Sequence, residues 1–94
     1  MEGLHKELPV LRKQLIYKSK NMGMKELDII LGNWAADNLP LFSEENCLNY
    51  YEEVLQMETP DVLRLLTVKN LTNEENEFLQ QTTFLLKIKL KLFE

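Results

Sequence analysis

Glycine and proline are scarce in this chain, three of each in 94 residues, and there is one cysteine and one histidine. Lone Cys47 excludes an internal disulfide, and nothing near Met1 has the apolar core of a secretory signal, so the sequence reads as that of a reducing compartment. No apolar run approaches the roughly 18 to 20 residues a bilayer span needs, so no transmembrane segment is expected and the chain reads as soluble. HxxxH, CxxC, GxSxG and phosphate-cradling glycine patterns are all missing. Metal binding and nucleophilic catalysis therefore lack their parts, and neither a metal nor a cofactor site is expected. Cys47, beside Leu48 on an expected helix, reads as a packing residue. A chain of this length buries only about two-thirds of its unfolded surface. Residues 1–94 thus read as one small domain with one core, too small for a deep substrate cavity and for a self-contained enzyme.

What is present is an uneven distribution of charge within an overall net of −4. Lys6, Arg12, Lys13, Lys18, Lys20 and Lys25 stand against only Glu2 and Glu7 in the first 25 residues, whereas residues 26–61 hold nine acids and no Lys or Arg. Nucleic acid is excluded as the main ligand, because phosphate binding needs a larger clustered positive surface. A basic protein partner fits the acidic middle better. The competing reading is that the basic first segment packs beside the acidic one.

The few Gly and Pro residues divide the sequence into helical segments, giving an all-α class and a small bundle of five helices. The first runs from Pro9 to Lys20 with Leu8, Leu11 and Leu15 on one face; proline suits an opening turn. The second carries Leu27, Ile30, Leu31, Trp34, Ala35 and Leu39 at helical spacing, Trp34 reading as core, and stops at Pro40. Ser43 caps a third whose stripe is Leu48, Tyr51, Val54 and Leu55. Thr59-Pro60-Asp61 opens a fourth through Leu66. Thr72 with Glu75 forms a capping box for a fifth, so Thr72 is better used as a cap than as part of the Asn70-Leu71-Thr72 sequon. Residues 86–92 alternate as a strand would, yet a lone strand has no partner in a helical chain; they read as helix, with strand addition to another protein's sheet as the alternative.

One constellation is more specific. Ser19 through Asp28 places Gly23 at a helix-to-helix turn, with Glu26 and Asp28 opening the next helix. Gly23 permits positive φ and close approach by a partner. At 100° per residue Glu26 and Asp28 lie about 160° apart around the helix. At most one of them faces a given partner; the other serves as a cap or balances the helix dipole.

These residues resemble the succinate dehydrogenase assembly factor 2 family, whose signature is Arg-Gly-x-x-Glu-x-Asp preceded by Tyr-x-Ser. Tyr17-Lys18-Ser19, Gly23, Glu26 and Asp28 follow that pattern, Ile29 through Trp34 follow its apolar helix, and Thr59-Pro60-Asp61 resembles its later Asn-Pro-Asp turn. The similarity spans residues 12–66. The signature arginine is Met22 here, and the tryptophans after the Pro-Asp turn are Leu63 and Leu65. The resemblance implies a five-helix bundle in the mitochondrial matrix that binds the flavoprotein subunit of succinate dehydrogenase and promotes covalent attachment of FAD to it, without itself being the bond-forming enzyme. It implies that the partner-binding residues are Met22, Gly23, Met24, Glu26, Asp28, Tyr17 and Lys20. Another mitochondrial protein complex, joined by a repurposed structural subunit without flavinylation activity, is the alternative.

Overall fold

A computed structural model describes residues 3–94, and in them every regular element is helical. Helix α1 spans Leu8–Lys20 and α2 Lys25–Asn38; a 3₁₀ turn, Leu39–Leu41, follows at Pro40. Helix α3, Glu44–Tyr50, continues into a π-helical segment, Tyr51–Leu55. Helices α4, Thr59–Thr67, α5, Asn73–Gln80, and α6, Phe84–Leu92, complete the chain.

The caps read from the sequence do their expected work. Ser43 Oγ accepts from the Asn46 N–H at 3.1 Å. Thr72 Oγ1 accepts from the Glu75 N–H while the Glu75 carboxylate accepts from the Thr72 N–H. Three details differ. Helix α4 starts one residue early, with Glu58 as its N-cap and Pro60 in the first turn. The buried face of α3 and the π segment is Cys47, Tyr50 and Val54, leaving Leu48, Tyr51 and Leu55 half-buried beside it. Trp34 is also only half-buried, packed against the core rather than enclosed by it.

The larger difference is the number of helices. Among the described residues there are six α-helices, not five, because the segment after Thr72 breaks at Gln81–Thr83. The break is made from far along the chain. Glu53, in the π segment, turns its carboxylate onto the start of α6 and accepts from the N–H groups of Thr83, Phe84 and Leu85 at 2.7, 2.6 and 3.0 Å. Those donors have no partner within α6, and an anion there is favoured by the helix dipole. A continuous helix would have occupied them internally and left Glu53 without its donors. Residues 86–92 are helical, with Phe84, Leu85 and Ile88 facing inward at spacings of three and four.

Helix α1 packs on α2, α4 on α6, and all the longer elements contribute to one apolar core in which Leu11, Leu15, Leu27, Leu31, Leu66 and Leu85 are fully buried. Gly32 lets α1 cross α2 closely, since a Cβ there would stand 2.8 Å from Lys20 Cγ. Arg12 of α1 donates through Nε and Nη2 to the Phe42 carbonyl at 2.9 and 2.6 Å, holding the chain between the 3₁₀ turn and α3. No ion pair joins the basic first segment to the acidic middle among the described residues; the two ion pairs are Arg64–Glu75 and Lys91–Glu94. Helix α1 nonetheless packs beside the acidic segment, on α2 and α3, and most of the charges face solvent, Arg12, Lys18, Asp28 and Glu53 being half-buried. Side-chain closure of α4 onto α5 comes from the forked Arg64–Glu75 contact at 2.6 and 3.1 Å.

Two stability measurements check this account. Glu53→Ala, which strands three helix-terminal donors, should lower the unfolding free energy in urea by about 2 kcal/mol, and Glu53→Gln by less. Glu75 is held down to about 2, first by the hydrogen bond from Arg64 and then by the Thr72 N–H. A depressed folded-state pKa gives stability that is present above the unfolded value of 4.5 and lost as pH falls toward 2. The stability gap between wild type and Glu75→Gln should accordingly be largest above pH 5 and close between about pH 4.5 and pH 2.

Candidate functional site

The corner between α1 and α2 is built by backbone and short side chains. At the end of α1, the Asn21 N–H donates to the Lys18 carbonyl at 3.2 Å and its Nδ2 donates to the Tyr17 carbonyl at 2.8 Å, closing the helix. Gly23 then takes φ +97°, a conformation L side chains rarely adopt. Met24, the N-cap of α2, offers no side-chain acceptor, and Asp28 supplies one from within the helix: its Oδ1 accepts from the Met22 N–H at 2.5 Å. Asp28 thus braces the turn ahead of α2 without capping the helix, and Glu26 is the exposed acid. The geometry matches the 100°-per-residue expectation that the two do not converge.

Behind the corner lies a polar link in the core. Ser19, one residue from the end of α1, is fully buried; its Oγ donates to the Leu15 carbonyl and shares a 2.8 Å hydrogen bond with Tyr50 Oη. Burial pushes the Tyr50 phenol up to about 12 against a smaller opposing pull from Ser19, so it stays a neutral hydrogen-bonding group. The Tyr50 ring stacks on Trp34 of α2, centroids 5.6 Å apart and planes 18° from parallel, while Phe84 meets its edge at 85°. One side chain of α3 therefore grips both helices that carry the corner.

The seven residues expected in the site fall into two groups. Gly23 stands at the apex with nothing within 4 Å of where a Cβ would be. Tyr17, 68% exposed, and Met22 line a shallow depression of about 360 Å³ beside it. Lys20 and Glu26 are exposed on the two helices, whereas Met24 packs against the core and Asp28 is spent on the turn. Sequence reasoning missed Tyr51 and Leu55, which form the far wall of that depression from the π segment. Their spacing places them on the core stripe of α3, and their half-exposure goes with Tyr50 taking the inward position.

The arrangement holds no reacting group. Cys47 is fully buried, and desolvation raises its thiol above the ordinary value despite an opposing effect of Arg12, which disfavours the thiolate. No cluster of three or more His, Cys, Asp or Glu side chains able to hold a metal exists among the described residues, and no helix is long and apolar enough to cross a membrane. What the corner offers is a rigid, open backbone apex flanked by an aromatic depression.

Comparison with known proteins matches residues 13–89 to the family model described as flavinator of succinate dehydrogenase. The mitochondrial succinate dehydrogenase assembly factor 2 of Dictyostelium discoideum is 38% identical over 71 residues, covering 76% of this chain and 50% of the relative. Its counterpart from Arabidopsis thaliana is 41% identical over 54 residues, covering 57% and 28%, and that from Caenorhabditis briggsae 40% over 52 residues, covering 55% and 42%. The chain thus spans half or less of the length of these relatives. No solved structure matches it.

Gly23→Ala tests the corner without steric clash. It should cost about 1 kcal/mol or more from backbone strain alone, and Asp28→Ala should speed amide exchange at Met22 with smaller effect elsewhere.

Proposed function

Because the chain belongs to the family of flavinators of succinate dehydrogenase, we propose that it is an assembly chaperone of mitochondria, working in the matrix, that binds the flavoprotein subunit of succinate dehydrogenase and promotes covalent attachment of FAD to that subunit. The observation that carries the reading is the open, positive-φ apex at Gly23, held in place by Asp28 and backed by the Ser19–Tyr50 bond. It lies where the family signature has its glycine. A partner backbone can approach it more closely than any side-chain-bearing residue would allow.

In this reading the chain is an assembly factor and not an enzyme. Its contribution is positional: by gripping its client it holds the client's reacting groups in a productive arrangement, and the client and its own flavin do the chemistry. Gly23 takes the closest approach, Glu26 makes the exposed polar contact, and Tyr17, Lys20 and Met22 border the client. Met24 and Asp28 set the shape of the corner from behind. The described residues act as one helical unit. Met22, standing where the signature has arginine, supports a second reading: a subunit of a larger mitochondrial complex that has kept the bundle and lost flavinylation, since a thioether replaces none of the fixed charge and fork of donors.

Co-expression with the apo flavoprotein subunit separates these readings. The covalently bound flavin, measured after denaturation, should rise several-fold in the presence of the chain, and Gly23→Arg should abolish the rise while leaving most of the helical circular dichroism. Equal covalent flavin with and without the wild-type chain would reject the flavinylation reading, and stable co-purification with a large complex would then favour the second.

A further inference from the structure

A groove of about 610 Å³ lies elsewhere, between α2 and α6. Its floor and walls are apolar: Ile29, Ile30 and Trp34 from α2, with Ile88 and Leu92 from α6. Ile29 is 54% and Leu92 42% exposed, so water covers side chains that would gain from burial. The rims differ in charge. Lys87 and Lys91 stand one turn apart along α6, while the α2 rim has Asp37 with the neutral amides of Asn33 and Asn38. Among the described residues Lys87 and Asp37 make no ion pair, and Lys91 meets only Glu94, at 3.7 Å on the open surface.

We propose that this groove is a second docking surface for the same client, receiving an amphipathic helix whose apolar ridge is flanked by acidic residues on the side facing Lys87 and Lys91. The proposal rests on the reading given under Proposed function for the identity of the client; the shape and charge of the groove specify what part of it binds. An extended segment would need an open sheet edge to pair with, and the described residues contain no strand. A helix satisfies its own backbone and needs only the furrow between two helices. The lining of α2 from Ile29 to Asn38 runs about 14 Å at 1.5 Å per residue, enough for two turns and apolar anchors at i, i+3 or i+4, and i+7. The single acid on the α2 rim disfavours a helix acidic on both flanks and so fixes its orientation. Ile29 lies one turn along α2 from exposed Glu26, so the groove opens beside the corner and both can engage one partner.

The test measures affinity of the full chain for the apo flavoprotein subunit, with a carbodiimide that joins amines directly to carboxylates used on the same complex. Lys87→Glu/Lys91→Glu and, separately, Ile29→Asp should each weaken binding about tenfold. Both changes are at exposed positions, so the circular dichroism should match wild type. In the wild-type complex Lys87 or Lys91 should be joined to Asp or Glu side chains in a helical segment of the client. If both groove variants bind like wild type while Gly23→Arg does not, or if the lysines form no such cross-link, the groove is overturned and the corner stands. If cross-links map to a non-helical segment, the helical occupant is overturned. If the wild-type chain does not bind the flavoprotein subunit at all, the functional reading falls and the groove proposal for this client falls with it.

Discussion

Tyr50 fixes the corner between α1 and α2. Its hydroxyl reaches Ser19 at the end of α1 and its ring lies flat on Trp34 of α2, so the two helices that meet at Gly23 are held from behind by one residue of a third. The hydroxyl and the ring have to be served together. A phenol buried without a partner would cost a few kcal/mol, and among the described residues no buried side-chain polar atom is left unpaired. The corner owes its definition to that bond as much as to its own turn chemistry. Asp28 and Asn21 shape the turn locally, and Tyr50 sets its orientation relative to the rest of the bundle.

Tyr50 also accounts for the depression beside the corner. Placing Tyr50 inward at the end of α3 leaves Tyr51 facing α1, and the π segment that follows carries Leu55 to the same side while presenting Glu53 to α6. A wider helical turn of this kind is a frequent mark of functional sites in helical proteins. Here it does two structural jobs, one for the face next to Gly23 and one for the start of the last helix. The groove between α2 and α6 depends on the second, because Glu53 determines where α6 begins.

The parts legible in the sequence were those whose causes are local. Ser43, the Thr72–Glu75 pair, Pro40 and Gly23 each act within a few residues of themselves, and each stands where the pattern places it. That Glu26 and Asp28 do not converge was also legible, from helical angle alone; which of them faces solvent was not, being decided by the Met22 N–H that Asp28 binds. The break at Gln81–Thr83 was not, because its cap comes from Glu53, thirty residues earlier. Of the stripe Leu48, Tyr51, Val54 and Leu55 only Val54 is buried; Cys47 and Tyr50 take the other inward positions, with Tyr50 bonded to Ser19, a partner thirty-one residues away that the local spacing does not show. The spacing of Trp34 is that of a core residue; the gap left between α2 and α6, a property of tertiary packing, keeps one side of it open. The depression and the groove had no sequence signal, being made from residues of elements far apart in the chain.

The carboxylate of Glu53 carries one more implication. The segment Leu86-Lys87-Ile88-Lys89-Leu90-Lys91-Leu92 has the strict alternation of a strand, and it is helical as the continuation of a first turn whose N–H groups, from Thr83 to Leu85, are held by Glu53. Whenever that clasp opens, the released heptad has the pattern of a sticky β-segment, and its three lysines become gatekeepers against self-association between chains. The residue that starts the last helix is thereby also the one that keeps this alternation in helical form.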